Sequence, residues 1–94
     1  MEFPTPNSIA YTIYSKSNCP FCDKVKELLK DVEPKFVVID CDEFLVEPEI
    51  KKNFLDFMAK LIKRQYRTFP MVFHGDKFIG GFNDTRDYYE NNDM

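Results

Sequence analysis

Apolar and polar positions alternate from about Ser8 to Ser15, with Ile9, Tyr11 and Ile13 on one face and Ala10, Thr12 and Tyr14 on the other. That period predicts a first strand, and Tyr and β-branched side chains suit it. After Cys19 the spacing changes to three and four. Val25, Leu28, Leu29 and Val32 mark the core face of a helix, leaving Asp23, Lys24, Lys26, Glu27 and Lys30 to water. Glu33-Pro34 should end that helix, because a residue preceding proline avoids helical backbone. Phe36-Val37-Val38-Ile39 is a near-continuous apolar run of the kind found in a parallel strand buried on both faces. Asp40 to Glu47 reads as a loop.

A second helix is predicted from Pro48, with Glu49 beside the positive end of its dipole and an apolar stripe of Ile50, Phe54, Phe57, Met58, Leu61 and Ile62. Lys63 to Arg67 would close it with cations. Met71-Val72-Phe73 and Lys77-Phe78-Ile79 flank a turn at His74-Gly75-Asp76 and read as a hairpin. A last helix, capped by Asn83 or Asp84, would run to about Asn91. The order β-α-β-α-β-β-α predicts an α/β fold with the first strand central and helices on both faces. Its one βαβ crossover should be right-handed.

Composition narrows the function classes. Residues 1–94 are expected to form a single domain, with residues 1–7 as an extended lead-in carrying Pro4 and Pro6. Ten Phe and five Tyr compensate for the short chain, because each large ring buries much apolar area. A net charge of −3 gives no support to nucleic-acid binding. No run approaches the roughly 20 apolar residues of a membrane span, and Met1 to Pro6 lacks the apolar centre of a secretory signal. Three cysteines are too few for a secreted disulfide framework, so a cytoplasmic, reducing location is expected.

The candidate chemistry lies in Asn18-Cys19-Pro20-Phe21-Cys22. A cysteine at a strand-to-helix corner sits over backbone N–H groups that have no intrahelical partner and can stabilise an anion. An ordinary thiol, with a pKa of about 8.5, is only about 3% ionised at pH 7. A helix N-terminus contributes at most about 2 kcal/mol towards the thiolate. Direct N–H bonds and the nearby cation Lys16 would add to that, leaving Cys19 mostly ionised. The lower basicity returns part of the gain in attack, at a Brønsted slope of about 0.4–0.5, but makes the same sulfur a better leaving group. That combination suits thiol–disulfide exchange. Cys19, Cys22, Cys41 and His74 would also make up a zinc set. Cys41 and His74 stand alone, however, and a helix begins inside the first pair where a zinc knuckle needs a turn, so no metal is expected. Cys41 then reads as a small semi-buried residue and His74 as a turn residue.

With Cys19-Pro20-Phe21-Cys22 after the first strand, Thr68-Phe69-Pro70 before a hairpin and Gly80-Gly81-Phe82-Asn83-Asp84 after it, the chain resembles a dithiol glutaredoxin over roughly residues 8 to 91. The resemblance implies a thioredoxin-like fold with a four-stranded mixed sheet. It also implies a glutathione-dependent oxidoreductase that reduces protein disulfides and protein–glutathione mixed disulfides. Cys19 would be the nucleophile and Cys22 the resolving thiol. Lys16 matches the lysine that pairs with the glycine carboxylate of glutathione. Phe21 keeps the aromatic wall where the family usually has Tyr. Pro70, two residues after Thr68, matches the cis-proline, and the backbone of Phe69 would pair with the cysteinyl part of the tripeptide. Gly81 would let the backbone approach, Asn83 and Asp84 would hold the γ-glutamyl end, and Arg67 could reach the glycine carboxylate.

The partners implied are glutathione and glutathionylated or disulfide-containing proteins, ribonucleotide reductase among them, with the chain acting as a monomer. An alternative from another class is an iron–sulfur carrier, its cluster held between two subunits by Cys19 and glutathione; Pro20 disfavours it, since carriers tend to have a smaller residue there. A thioredoxin served by a reductase is a third reading, disfavoured by Asn83-Asp84 and by the absence of Trp before the motif.

Overall fold

The computed structural model describes residues 2–92. The elements follow as β1 (Tyr11–Ser15), α1 (Pro20–Leu28), β2 (Val37–Asp40), α2 (Pro48–Ile62), β3 (Met71–His74), β4 (Lys77–Gly80) and α3 (Phe82–Asn92), with a 3₁₀ turn at Asp42–Phe44. The predicted α/β order is therefore present. The sheet runs β2-β1-β3-β4, with β1 inside. Thr12 to Ser15 pair in parallel with Val37 to Asp40. Tyr11 pairs antiparallel with His74, and Tyr14 with Met71. Gly75, at a φ of 61°, supplies the left-handed residue that a two-residue hairpin turn requires. These registers bring the end of β1, the start of β3 and the end of β4 together, since Gly80 lies opposite Val72. Each of the three sequence motifs is attached to one of those strand ends.

Alternation along β1 divides the core. Tyr14 joins Phe44, Phe54, Met58, Met71 and Phe73 beneath α2, whereas Tyr11 and Ile13 join Val25, Leu29 and Val72 beneath α1 and α3. Helices thus cover both faces. Phe54 and Met58 of the predicted stripe are fully buried, and Ile50, Phe57, Leu61 and Ile62 pack around them. The lead-in does more than extend. Phe3 sets its ring edge-on to Phe44 and Phe54, with centroids 5.1 and 5.4 Å away. The carbonyl of Pro4 accepts the buried Tyr14 hydroxyl at 2.7 Å.

Several boundaries differ from the sequence reading, each for a local reason. The first strand starts at Tyr11 rather than Ser8, because the Asn7 carboxamide oxygen accepts the N–H groups of Ile9 and Ala10 and turns the chain; Ile9 is left 70% exposed. Helix α1 ends at Leu28, well before Glu33-Pro34, as Lys30 and Val32 switch to i→i+3 bonds onto Glu27 and Leu29. The run expected to be buried on both faces forms the edge strand β2, with Val37 and Val38 partly exposed. Its pattern is that of a central strand, but only β1 pairs with it. Helix α2 stops at Ile62, where Lys63 takes a left-handed conformation and donates its N–H to Ala59. Helix α3 begins at Phe82, so Asn83 and Asp84 lie in its first turn rather than at its cap. The Gly81 carbonyl there accepts both the N–H and the hydroxyl of Thr85.

Candidate active site

Cys19 is the N-cap of α1. Its extended backbone and the proline that follows start the helix, and its Sγ accepts the Cys22 N–H at 3.2 Å. The thiol expected over free helix N–H groups is where the spacing puts it. Cys22, one turn on, is fully buried, and the two sulfurs are joined as a disulfide across a Cα–Cα distance of 5.2 Å. Cys19 faces the cis peptide bond between Phe69 and Pro70, with its Sγ 3.8 Å from the Phe69 carbonyl oxygen. The N–H donor is the nearer of the two backbone groups.

Phe69 is the hub of the site. On one side lies a groove of about 420 Å³ walled by Phe21, Thr68, Phe69, Pro70, Gly81, Asn83 and Asp84, together with Tyr66 and Phe82. On the other is a smaller hollow of about 150 Å³ lined by Lys16, Arg67 and Phe69, with Lys51, Leu45 and Leu55. The Phe69 ring stacks on Phe54 of the core, and Lys16 Nζ sits 5.7 Å from its centroid. The residues that the resemblance assigned to the thiol pair and to glutathione all come to this end of the sheet. The fold divides them into an aromatic groove with one carboxylate and a hollow bordered by cations.

The loop carrying Lys16 and Cys19 is tied down by a residue the sequence reading left in a loop. The Asp42 carboxylate accepts the Ser17 backbone N–H at 2.8 Å and also the Ser17 hydroxyl. Those bonds, with Lys16 nearby, hold its carboxyl below the usual range. Asn18 completes the loop at a φ of 55°, a conformation asparagine tolerates better than most residues. Cys41 lies apart in the α2-side core, where burial first and the Asp40 charge second push its thiol up to about 12. His74 stands at the opposite end of β1, stacked on Tyr11 and 2.8 Å from the Tyr88 hydroxyl. The four residues of the zinc alternative are therefore dispersed.

Lys51, Tyr66, Phe82 and Gly80 also belong to the site. Lys51 carries no sequence signal, since it lies on the polar side of α2. Tyr66 sits within a charged run, and Phe82 follows the glycine pair directly. A conformational demand falls on Gly80, whose φ is 135° and where a Cβ would run into the Asp84 carboxylate. Gly81 leaves room for a methyl, its nearest neighbour being Tyr66 Oη at 3.4 Å.

A four-stranded mixed sheet with helices on both faces, and a cysteine pair at the first helix opposite a cis-proline, defines a thioredoxin-like protein. The glutaredoxin family model matches residues 11–79. Glutaredoxin-C4 of Arabidopsis thaliana is 32% identical over 90 residues, covering 96% of this chain, which spans 62% of that protein's length. Among solved structures, glutaredoxin 1 of Francisella tularensis superposes with a TM-score of 0.71 at 23% identity, over 87% of this chain and 93% of that one. A buckwheat glutaredoxin–glutathione complex gives 0.67 at 25% identity, over 90% and 72% of the two chains. The chain belongs to the glutaredoxin family of oxidoreductases, and its Cys19–Cys22 pair fits a dithiol active site.

Proposed function

We propose that the chain reduces protein disulfides and protein–glutathione mixed disulfides at the expense of glutathione, in the reducing cytoplasm and as a monomer. The observation that carries this reading is the position of Cys19 Sγ, on a helix N–H and beside the Phe69 carbonyl, at the mouth of a groove of about 420 Å³. A tripeptide with an ammonium and two carboxylates suits the charges around it. Asp84 would take the γ-glutamyl ammonium, with the first turn of α3 at Asn83 taking the neighbouring carboxylate. Phe69 would pair through its backbone with the cysteinyl residue, and Lys16, Arg67 and Lys51 would face the glycine carboxylate. Phe21 and Pro70 would wall the sulfur between them. The buckwheat glutaredoxin of similar fold, solved with glutathione, supports the choice of ligand.

In the one-cysteine route, the Cys19 thiolate attacks the glutathionyl sulfur of a mixed disulfide and the substrate protein leaves as its thiolate. A second glutathione thiolate then attacks the glutathionyl sulfur held on Cys19, forming glutathione disulfide and freeing Cys19. In the two-cysteine route, Cys19 attacks a protein disulfide. Cys22 then attacks the Cys19 sulfur, releases the second substrate thiol and leaves the Cys19–Cys22 disulfide, which two glutathiones reduce. Turnover of the mixed disulfide of glutathione and 2-mercaptoethanol tests this. Cys22→Ser should retain that activity and lose the reduction of protein disulfides. Equal loss of both would contradict the reading.

A further inference from the structure

At the wall of the groove, α1 and α3 bring together two rings, Phe21 exposed and Phe82 half-buried against the core. Phe21, 50% exposed, and Phe82 lie near face to face, with centroids 6.1 Å apart at 29°. Lys24 Nζ is 5.0 Å from the Phe21 centroid and 5.9 Å from that of Phe82, and the Arg86 guanidinium is 5.8 Å from the Phe82 centroid. Lys24 has no ion-pair partner among the described residues, and Arg86 meets only Asp87, at 3.6 Å, with both side chains largely in water. Of the other carboxylates on these helices, Asp23 lines a hollow with Lys16 and Lys26, Glu27 is taken up by Lys30, Asp84 faces the groove at Gly80, and Glu90, one turn beyond Arg86, makes no ion pair with it among the described residues. A cation over a ring keeps N–H groups free for a second partner. Two such cations therefore adjoin a partly exposed aromatic pair on a chain whose net charge is −3.

We propose that the Phe21–Phe82 ring pair, with Lys24 and Arg86 beside it, is a docking surface for the substrate protein that selects an acidic segment next to the target disulfide. The rings would supply apolar contact for the incoming backbone, and the cations would steer Asp or Glu side chains that flank its cysteine. The two rings themselves wall the groove and take no part in the hollow beside Lys16, so a segment lying on them reaches Cys19 without entering that hollow. The inference rests on the proposed function only in that Cys19 attacks a protein disulfide.

The test uses peptides containing one internal disulfide flanked by Glu, Ser or Lys residues. The reduced protein alone, without glutathione, reacts with each in a single turnover. Cys19 attacks one peptide sulfur, Cys22 displaces the second, and the peptide gains the two electrons the protein loses. The ratio of rates is read, because any change in Cys19 ionisation alters all three peptides alike. The Glu peptide should react about tenfold faster than the Lys peptide at low salt, and the preference should shrink in high salt. Lys24→Gln combined with Arg86→Gln should bring the ratio to about one, and the double Glu replacement should reverse it. A ratio near one in the native protein, or one unchanged by these substitutions, would overturn the proposal. Failure of the small glutathione mixed disulfide to turn over would instead strike the glutathione reading and leave the peptide preference standing.

Discussion

Cys19 and Cys41 both follow the ends of adjacent parallel strands, and the Cys41 N–H even bonds the last carbonyl of β1, at Ser15. Both are buried by ordinary measures, Cys19 to 8% and Cys41 to 0% exposure. They differ in depth and in whether a helix N–H meets the sulfur. Cys19 Sγ accepts the Cys22 N–H and has the Phe69 carbonyl 3.8 Å away, whereas Cys41 Sγ lies 3.5 Å from the Ile39 carbonyl. A donor holds negative charge on sulfur and an acceptor keeps the proton there. Low exposure alone therefore does not make a cysteine inert: complete burial first and the Asp40 charge second hold the proton on Cys41, whereas Cys19 keeps slight exposure and a helix N–H.

The largest effect that would sharpen this comparison is on turnover. Cys19→Ser should cut activity on any disulfide by at least about a thousandfold, because a hydroxyl is not ionised at neutral pH. Cys41→Ala should leave activity within about twofold in the same assay. The second effect is on stability at alkaline pH. The Cys41 thiol is raised from 9.0 to about 12 in the fold, so the unfolded chain loses its proton first as pH rises. The stability this contributes is complete below pH 9 and should be lost by a few kcal/mol as pH climbs towards 12. Denaturant melts of wild type and Cys41→Ala should show that slope reduced in the variant.

A smaller effect concerns the loop anchor. Asp42→Ala frees the Ser17 N–H and hydroxyl, and kcat/KM should fall about threefold as Lys16 and Cys19 lose their fixed placement. Because the Asp42 carboxyl is held below its usual range, its contribution is present above the unfolded value of about 3.9. It should fade as pH drops through the lower folded value, and acid melts of the variant should lack that part. The smallest effect expected is for Lys16→Ala. Its KM for glutathione should rise about twofold, as for loss of one exposed ion pair, with a modest rise in the Cys19 pKa read by alkylation.

The element order and the meeting of the motifs were legible because each rests on short-range chemistry. Period-two and period-four stripes mark β1 and α2, and Pro20 starts α1 where a first turn tolerates it. What escaped depends on contacts between distant segments. Nothing in Val37-Val38 says that only one strand will pair beside them, so β2 reads as central although it is an edge. Phe3 sits among prolines and gives no periodic signal, yet its ring closes the cluster around Phe54. The Asn7 turn competes locally with strand backbone and shortens β1. Within the site, Lys51 and Asp42 are polar residues in unremarkable positions, and only the packing of α2 and β2 against the Cys19 loop gives them a role.

Alkylation of the fully reduced protein across pH, with each cysteine followed by peptide mass, tests the central claim most directly. Cys19 should react with an apparent pKa well below that of free cysteine, while Cys41 stays unmodified in the folded protein beyond pH 9. A Cys19 that titrates like a free thiol, or a Cys41 that reacts alongside it, would contradict the account.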